Sequence, residues 1–233
     1  MYRHKESGLA MWYILAGVVL LAAVTFTFMR SMNTGTSTAT IEKSRIVALK
    51  ILRYAESLEQ GVQELLLVNG CSERDISFYS VRWNTPADYD NTNTPEAAGD
   101  FNCHVFHPEG AGRSFQLPQG NDGSEYVVIG RLQVAGVGTD PAPAGSELLL
   151  ILPNVDLGVC LAINRLLEVE NPGGDPPQDA GGANYGPPYF NGSFGGGNQI
   201  NGSELAGLKS ACFEGDSSPP SGTYHFYHTL IAR

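Results

Sequence analysis

The stretch "LAMWYILAGVVLLAAVTFTFM", Leu9 to Met29, contains no charged side chain. A helix over it, rising 1.5 Å per residue, reaches roughly 30 Å, the thickness of the hydrocarbon core of a bilayer. What becomes of this segment decides where the rest of the chain works. A secretion signal that is cut away has a shorter apolar region, about 7 to 15 residues, and then a small-x-small cleavage site. Here the run is longer and ends at Phe28-Met29-Arg30, with no small-residue site close behind. The expectation is a retained transmembrane helix over residues 9–30, preceded by a short basic leader, residues 1–8.

The remainder of the 233-residue chain is enough for one ordinary domain with a real core, placed at residues 41–233. The net charge of the whole chain is -10, and basic residues are sparse after Arg82. A phosphate-binding surface would have little to work with, so nucleic acid is not an expected partner. Acidity reads as solubility for a domain in water. Cys71, Cys103, Cys160 and Cys212 form no CxxC pair, which argues against a zinc ribbon or a thioredoxin-type motif. Widely spaced cysteines behind a membrane segment suit two disulfides in an oxidising compartment. Three connectivities are open, and sequential pairing closes the shorter loops. Counting Lys and Arg alone would put the C-terminal side of the helix in the cytoplasm. The cysteines and the Gly-, Asn- and Pro-rich remainder place it outside instead, as a single-pass membrane protein whose domain faces away from the cytoplasm.

Residues 31–40, "SMNTGTSTAT", are Ser- and Thr-rich and read as a break, with Ser37, Thr38 or Thr40 available as an N-cap. Over residues 41–68 the helical period is strong: Ile41, Ala48, Ile51, Leu52, Ala55, Leu58, Val62, Leu65 and Leu66 recur at steps of three and four. Asn69-Gly70 is a helix-stop signal. "ISFYSVRW" (76–83), "EYVVIGRLQV" (125–134) and "TYHFYHTLIAR" (223–233) read as strands, and "ELLLILP" (147–153) as a buried central strand. A helix can start at Asn154 or Asp156. Residues 171–202 form a long Gly/Pro-rich loop, too poor in apolar residues for a core of its own. The fold class expected is α+β: the amphipathic helix packed on an antiparallel sheet, with long loops.

No GxSxG, HExxH or GxxxxGK motif is present, and a non-enzymatic role is expected. The histidines of "CHVFH" (His104, His107) and "YHFYH" (His225, His228) invite a metal, but on a strand residues three apart face opposite sides. "DYDNTN" offers the oxygens Asp88, Asp90 and Asn93, with Glu96 nearby, the hard ligands that Ca²⁺ takes, though without the EF-hand glycine. Asx-rich turns use the same residues. Tyr185, Tyr189, Phe190 and Phe194 on the long loop form a candidate recognition surface, where aromatics supply contact area.

The opening "ESGLAMWYILAGVVLL" resembles a type IV prepilin or a secretion-system pseudopilin of the minor-subunit kind. The resemblance covers about the first third of the chain. It implies peptidase cleavage after Gly8, methylation of Leu9, and packing of the helix with those of like subunits. Ala16, Gly17, Ala22 and Ala23 would permit close approach between such helices. The glutamate usual early in the mature helix falls at Tyr13, a departure from the pattern. The break at residues 31–40 is a second departure. The rest of the chain resembles bacterial membrane-anchored proteins with this opening and a "YHFY…LIAR"-like end, a resemblance that supplies no activity. The alternative expectation is a permanently anchored envelope protein that binds a partner or glycan through its loops.

Overall fold

The structure, a computed structural model, describes residues 7–138 and 145–233; within 7–38, side chains are described only for residues 13, 14 and 17–19. The chain divides into two compact units, Met1–Lys43 and Ser44–Arg233. The backbone is helical over α1, Ser7–Leu67, and this range includes the Ser/Thr-rich segment expected to interrupt it. Ser, Thr and Asn disfavour a helix interior by well under about 1 kcal/mol each, so propensity alone does not stop a helix. In the first unit Tyr13, Ile14, Val18 and Val19 are exposed. Among the described residues no helix is long and apolar enough to cross a membrane. Most side chains of Leu9–Met29, and the leader up to residue 6, lie outside the described residues.

In the second unit the periodic face of α1 is covered. Ala48, Ile51, Leu52, Ala55, Leu58, Val62 and Leu65 are buried, whereas Ile41, two turns earlier in the series, is exposed. Each fully buried Leu, Ile or Val side chain among them stabilises by roughly 1.5–3 kcal/mol. The helix stops as expected: Gly70 adopts φ +72° and the Cys71 N–H reaches back to the Leu65 carbonyl at 3.0 Å.

The sheet has five strands: β1 Val127–Val134, β2 Glu147–Leu152, β3 Asn198–Ile200, β4 Ser210–Glu214 and β5 Tyr224–Ile231. Their order is β3-β1-β2-β5-β4. Pairs β1–β2, β2–β5 and β4–β5 are antiparallel, but β3 runs parallel to β1, so the sheet is mixed rather than wholly antiparallel. β2 is central, and all of its residues are buried. This follows from both faces being covered. Leu148, Leu150, Leu152, Val128, Phe226 and Leu230 face α1 and α2, Leu157–Leu166, in one core. Leu149, Ile151, Ile129, Phe213 and Tyr227, with Ile200 of β3, face the other, together with Val169, Ala183 and Leu205.

The Gly/Pro-rich segment therefore has no core of its own but closes the second face of the sheet. Asp179, buried within it, organises the segment: Oδ1 accepts from the Gly181 and Asn201 N–H groups, and Oδ2 from Ala183. The segment also lies along β1, where the Phe190 and Gly195 N–H groups bond to the carbonyls of Val128 and Gly130. Gly130 interrupts an otherwise apolar strand because a Cβ there would lie 2.7 Å from both the Ser193 carbonyl oxygen and the Phe190 ring.

Residues 76–83, expected as a strand, make only one isolated bridge, Ser77 to His104. The segment turns at Ser80, whose hydroxyl and carbonyl accept from the Arg82 and Trp83 N–H groups. The Trp83 indole then donates to the Phe78 carbonyl. Ile76, Phe78 and Trp83 are buried all the same. The disulfides are Cys71–Cys103 and Cys160–Cys212, the sequential pairing.

A candidate binding cleft lined by tyrosines

A cleft of about 410 Å³ opens where β1 begins and β2 ends. Tyr89 reaches it from the 3₁₀ turn Pro86–Tyr89, Tyr126 from the start of β1, and Tyr185 and Tyr189 from the long loop. Asn84, Ser124, Glu125 and Asn154 supply its polar lining, which among the described residues contains no Lys, Arg or His.

The rings are held from behind. Tyr89 is sandwiched between Trp83, at 4.4 Å between centroids, and Tyr189, at 5.0 Å, both nearly parallel to it. Tyr126 packs on Tyr54 of α1 at 4.9 Å. The Arg131 guanidinium donates to the carbonyls of Gly186 and Pro187, fixing the loop between Tyr185 and Tyr189. Burial pushes all four phenols above their ordinary value, so each keeps its proton at neutral pH.

The turn before β1 and the end of β2 share a polar brace. Asp122 Oδ1 accepts from the Ser124 N–H and hydroxyl, and Oδ2 accepts from the Asn154 amide at 2.8 Å. These bonds, Ser124's first, hold the Asp122 carboxyl below its usual range. Asn154 has φ +51°, a left-handed conformation that Asn tolerates better than most residues. Glu125 Oε2 accepts from the Asn84 N–H at 3.1 Å.

Behind Tyr185 stands His225. The Tyr185 hydroxyl lies 2.8 Å and the Asn154 N–H nitrogen 3.3 Å from His225 Nδ1. Since a backbone N–H can only donate, Nδ1 accepts. Nε2 then carries the proton and donates to Thr223 Oγ1 at 2.7 Å, and that hydroxyl donates to the Pro220 carbonyl. Burial pushes His225 down to about 4, with Asp122 pulling weakly the other way. Between that value and the ordinary 6.5 the unfolded chain binds the extra proton, so this group withdraws stability as the pH falls through the window. Glu147, raised by burial to about 7 from 4.5, runs opposite, its contribution being lost as the pH rises through that interval. An NMR titration of the His225 ring should give a midpoint of about 4. A midpoint at the ordinary value would mean a solvated ring and no lasting bond from Tyr185.

The residues singled out in the sequence fall in different places. Tyr185 and Tyr189 line the cleft, Phe190 is buried in the core, and Phe194 packs on Phe190 beneath the Arg233 guanidinium, 4.2 Å from its ring. Asp90 Oδ1 accepts from the Glu96 N–H, and the Asn93 amide donates to the Arg74 carbonyl, while Asp88 lies within the 3₁₀ turn. Among the described residues no three His, Cys, Asp or Glu side chains are placed to hold a metal ion. His104 makes the isolated bridge to Ser77 with its ring bonded to the Thr94 carbonyl, and His107 is stacked on Phe101. His225 and His228 leave β5 from opposite faces, His225 toward Tyr185 and His228 toward Glu59 of α1. Glu59, His228 and Ser210 form a series at 2.9 and 2.7 Å that braces α1, β5 and β4 together. The backbone of Gly8 and Leu9 is helical, and the side chain of Leu9 lies outside the described residues.

The cleft partners Tyr89, Tyr126 and Glu125 carried no sequence signal that singles them out, and Asn154 stood out only as a candidate helix start. Glu125 and Tyr126 lie just before β1, whose start meets the end of β2 through the antiparallel pairing of Val127 with Ile151 and the isolated bridge from Asn121 to Val155. Compared with known proteins, the chain matches no family model, no curated protein and no solved structure.

Proposed function

We propose that this chain is a non-catalytic, pilin-like or pseudopilin-like subunit of a bacterial surface filament or secretion apparatus. In this reading it is made as a single-pass protein of the inner membrane, with its domain in the periplasm or at the cell exterior. The observation that carries the reading is the helical backbone of α1. It extends from the Gly8–Leu9 junction into the segment whose apolar face underlies the sheet. A helix that is exposed and apolar early, at Tyr13, Ile14, Val18 and Val19, and buried late suits a subunit that leaves a bilayer for a bundle of like helices. The two disulfides suit the oxidising side of that membrane. Tyr13, where the family usually has glutamate, is the one departure in the opening that stands against it.

The tyrosine cleft favours a second reading, a permanently anchored envelope protein that binds a ligand and never polymerises. Only the first reading needs a cut after Gly8. Mass spectrometry of the N-terminal peptide from the native host separates the two. A peptide that begins at Leu9, with an added methyl group, is the result expected of a pilin-like subunit. An intact leader on the mature protein rejects assembly and leaves the tethered binding protein.

A further inference from the structure

We propose that the tyrosine cleft is a binding site for a neutral glycan, taking one or two pyranose rings. This goes beyond the question of assembly and holds for either fate of the leader. A cleft of about 410 Å³ falls within the range of small-ligand sites, roughly 300–1,000 Å³. Its two kinds of lining correspond to the two kinds of surface on a sugar. A pyranose presents a flat patch of C–H groups, which packs on an aromatic face, and an edge of vicinal hydroxyls, each both donor and acceptor. Tyr189 ends the stack that begins with Trp83 and continues through Tyr89, so its orientation is fixed before any ligand arrives. Pre-organisation of this kind limits the entropy lost on binding. Asn84, Asn154 and Glu125 bring amide donors, amide acceptors and a carboxylate to the same space.

Charge narrows the ligand class further. The lining carries Glu125 and no cation among the described residues, Asp122 stands beside it, and the chain as a whole is at -10. Phosphorylated, sialylated and uronic-acid sugars would be repelled. A quaternary ammonium would suit tyrosines and a carboxylate. It would fill only part of the volume, though, and would leave the side-chain amide of Asn84, which bonds to no other group among the described residues, without a partner.

The test uses the full chain, solubilised in a polyoxyethylene detergent that carries neither sugar nor ammonium. It is applied to an array of neutral and acidic glycans that includes phosphocholine. Saturable binding to neutral pyranosyl glycans is expected, weakened about tenfold or more in Tyr189→Ala. Asn84→Ala, at an exposed rim position where the fold does not depend on the side chain, should weaken the same glycans severalfold. It keeps the test decisive if Tyr189→Ala proves misfolded by near-ultraviolet circular dichroism. Binding to no neutral glycan, preference for acidic glycans or phosphocholine, or unchanged binding in Asn84→Ala would each overturn the proposal. None of these outcomes bears on whether the leader is cut.

Discussion

Asn164→Leu should lower the free energy of unfolding by about 4 kcal/mol in a urea titration of the oxidised protein. Asn164 is fully buried on α2 and faces β4, the outermost strand on that side of the sheet. Its Oδ1 accepts from the Cys212 N–H at 2.8 Å, and its Nδ2 donates to the Cys212 carbonyl at 2.8 Å and to Asn171 Oδ1 at 2.9 Å. The side-chain amide thus acts as one residue of an additional strand. Leucine has a similar volume and cannot do this. Two buried backbone groups would lose their partners, each at a cost of about 1–3 kcal/mol. A loss below about 1 kcal/mol would mean that water reaches Cys212 and that the amide is dispensable.

The second large effect is expected from Cys160→Ala/Cys212→Ala. The bond closes a loop with a sequence separation of 52, and chain-entropy reasoning gives about 4 kcal/mol for a loop of that size. Cys71–Cys103, with a separation of 32, should contribute a few tenths of a kcal/mol less. The readout is the free energy of unfolding in a urea titration, whose slope should rise because the uncrosslinked unfolded chain exposes more surface. Because Asn164 holds the backbone of Cys212 and the disulfide holds its side chain, the two losses should not add. Combining Asn164→Leu with the double alanine variant should cost less than the sum, by about 1 kcal/mol or more. Simple additivity would show that Cys212 is anchored at two independent points.

Much of the framework was legible in the sequence because burial imposes a period on it. The steps of three and four from Ala48 to Leu65, the unbroken run Leu148–Leu152 and the start of α2 after Asp156 correspond to elements of the fold. Ser210–Glu214 and Asn198–Ile200 were not legible. "SACFE" and "NQI" are too short to show a period, and the parallel pairing of β3 depends on where a long loop is delivered. "ISFYSVRW" alternates as a strand should, yet its buried residues pack against aromatic neighbours while its backbone turns at Ser80. Alternation records burial on one side, and the ladder still needs a partner. In the cleft, Tyr185 and Tyr189 stood out by composition, but nothing local sets Tyr89 or Tyr126 apart from core tyrosines. Their role arises from placement, through the antiparallel pairing that sets the start of β1 beside the end of β2.

The outer border of β4 has a consequence for how copies of the chain can meet. An unpaired strand border is a template on which a second chain can add a strand, and crowding along a membrane or filament would favour such additions. Here the Cys212 position is occupied by Asn164, and the Glu214 N–H and carbonyl are taken by the Pro177 carbonyl and the Asp179 N–H. A visiting strand would have to displace both before it could form a ladder. Addition of a strand is thereby obstructed at this border, along the stretch from Cys212 to Glu214.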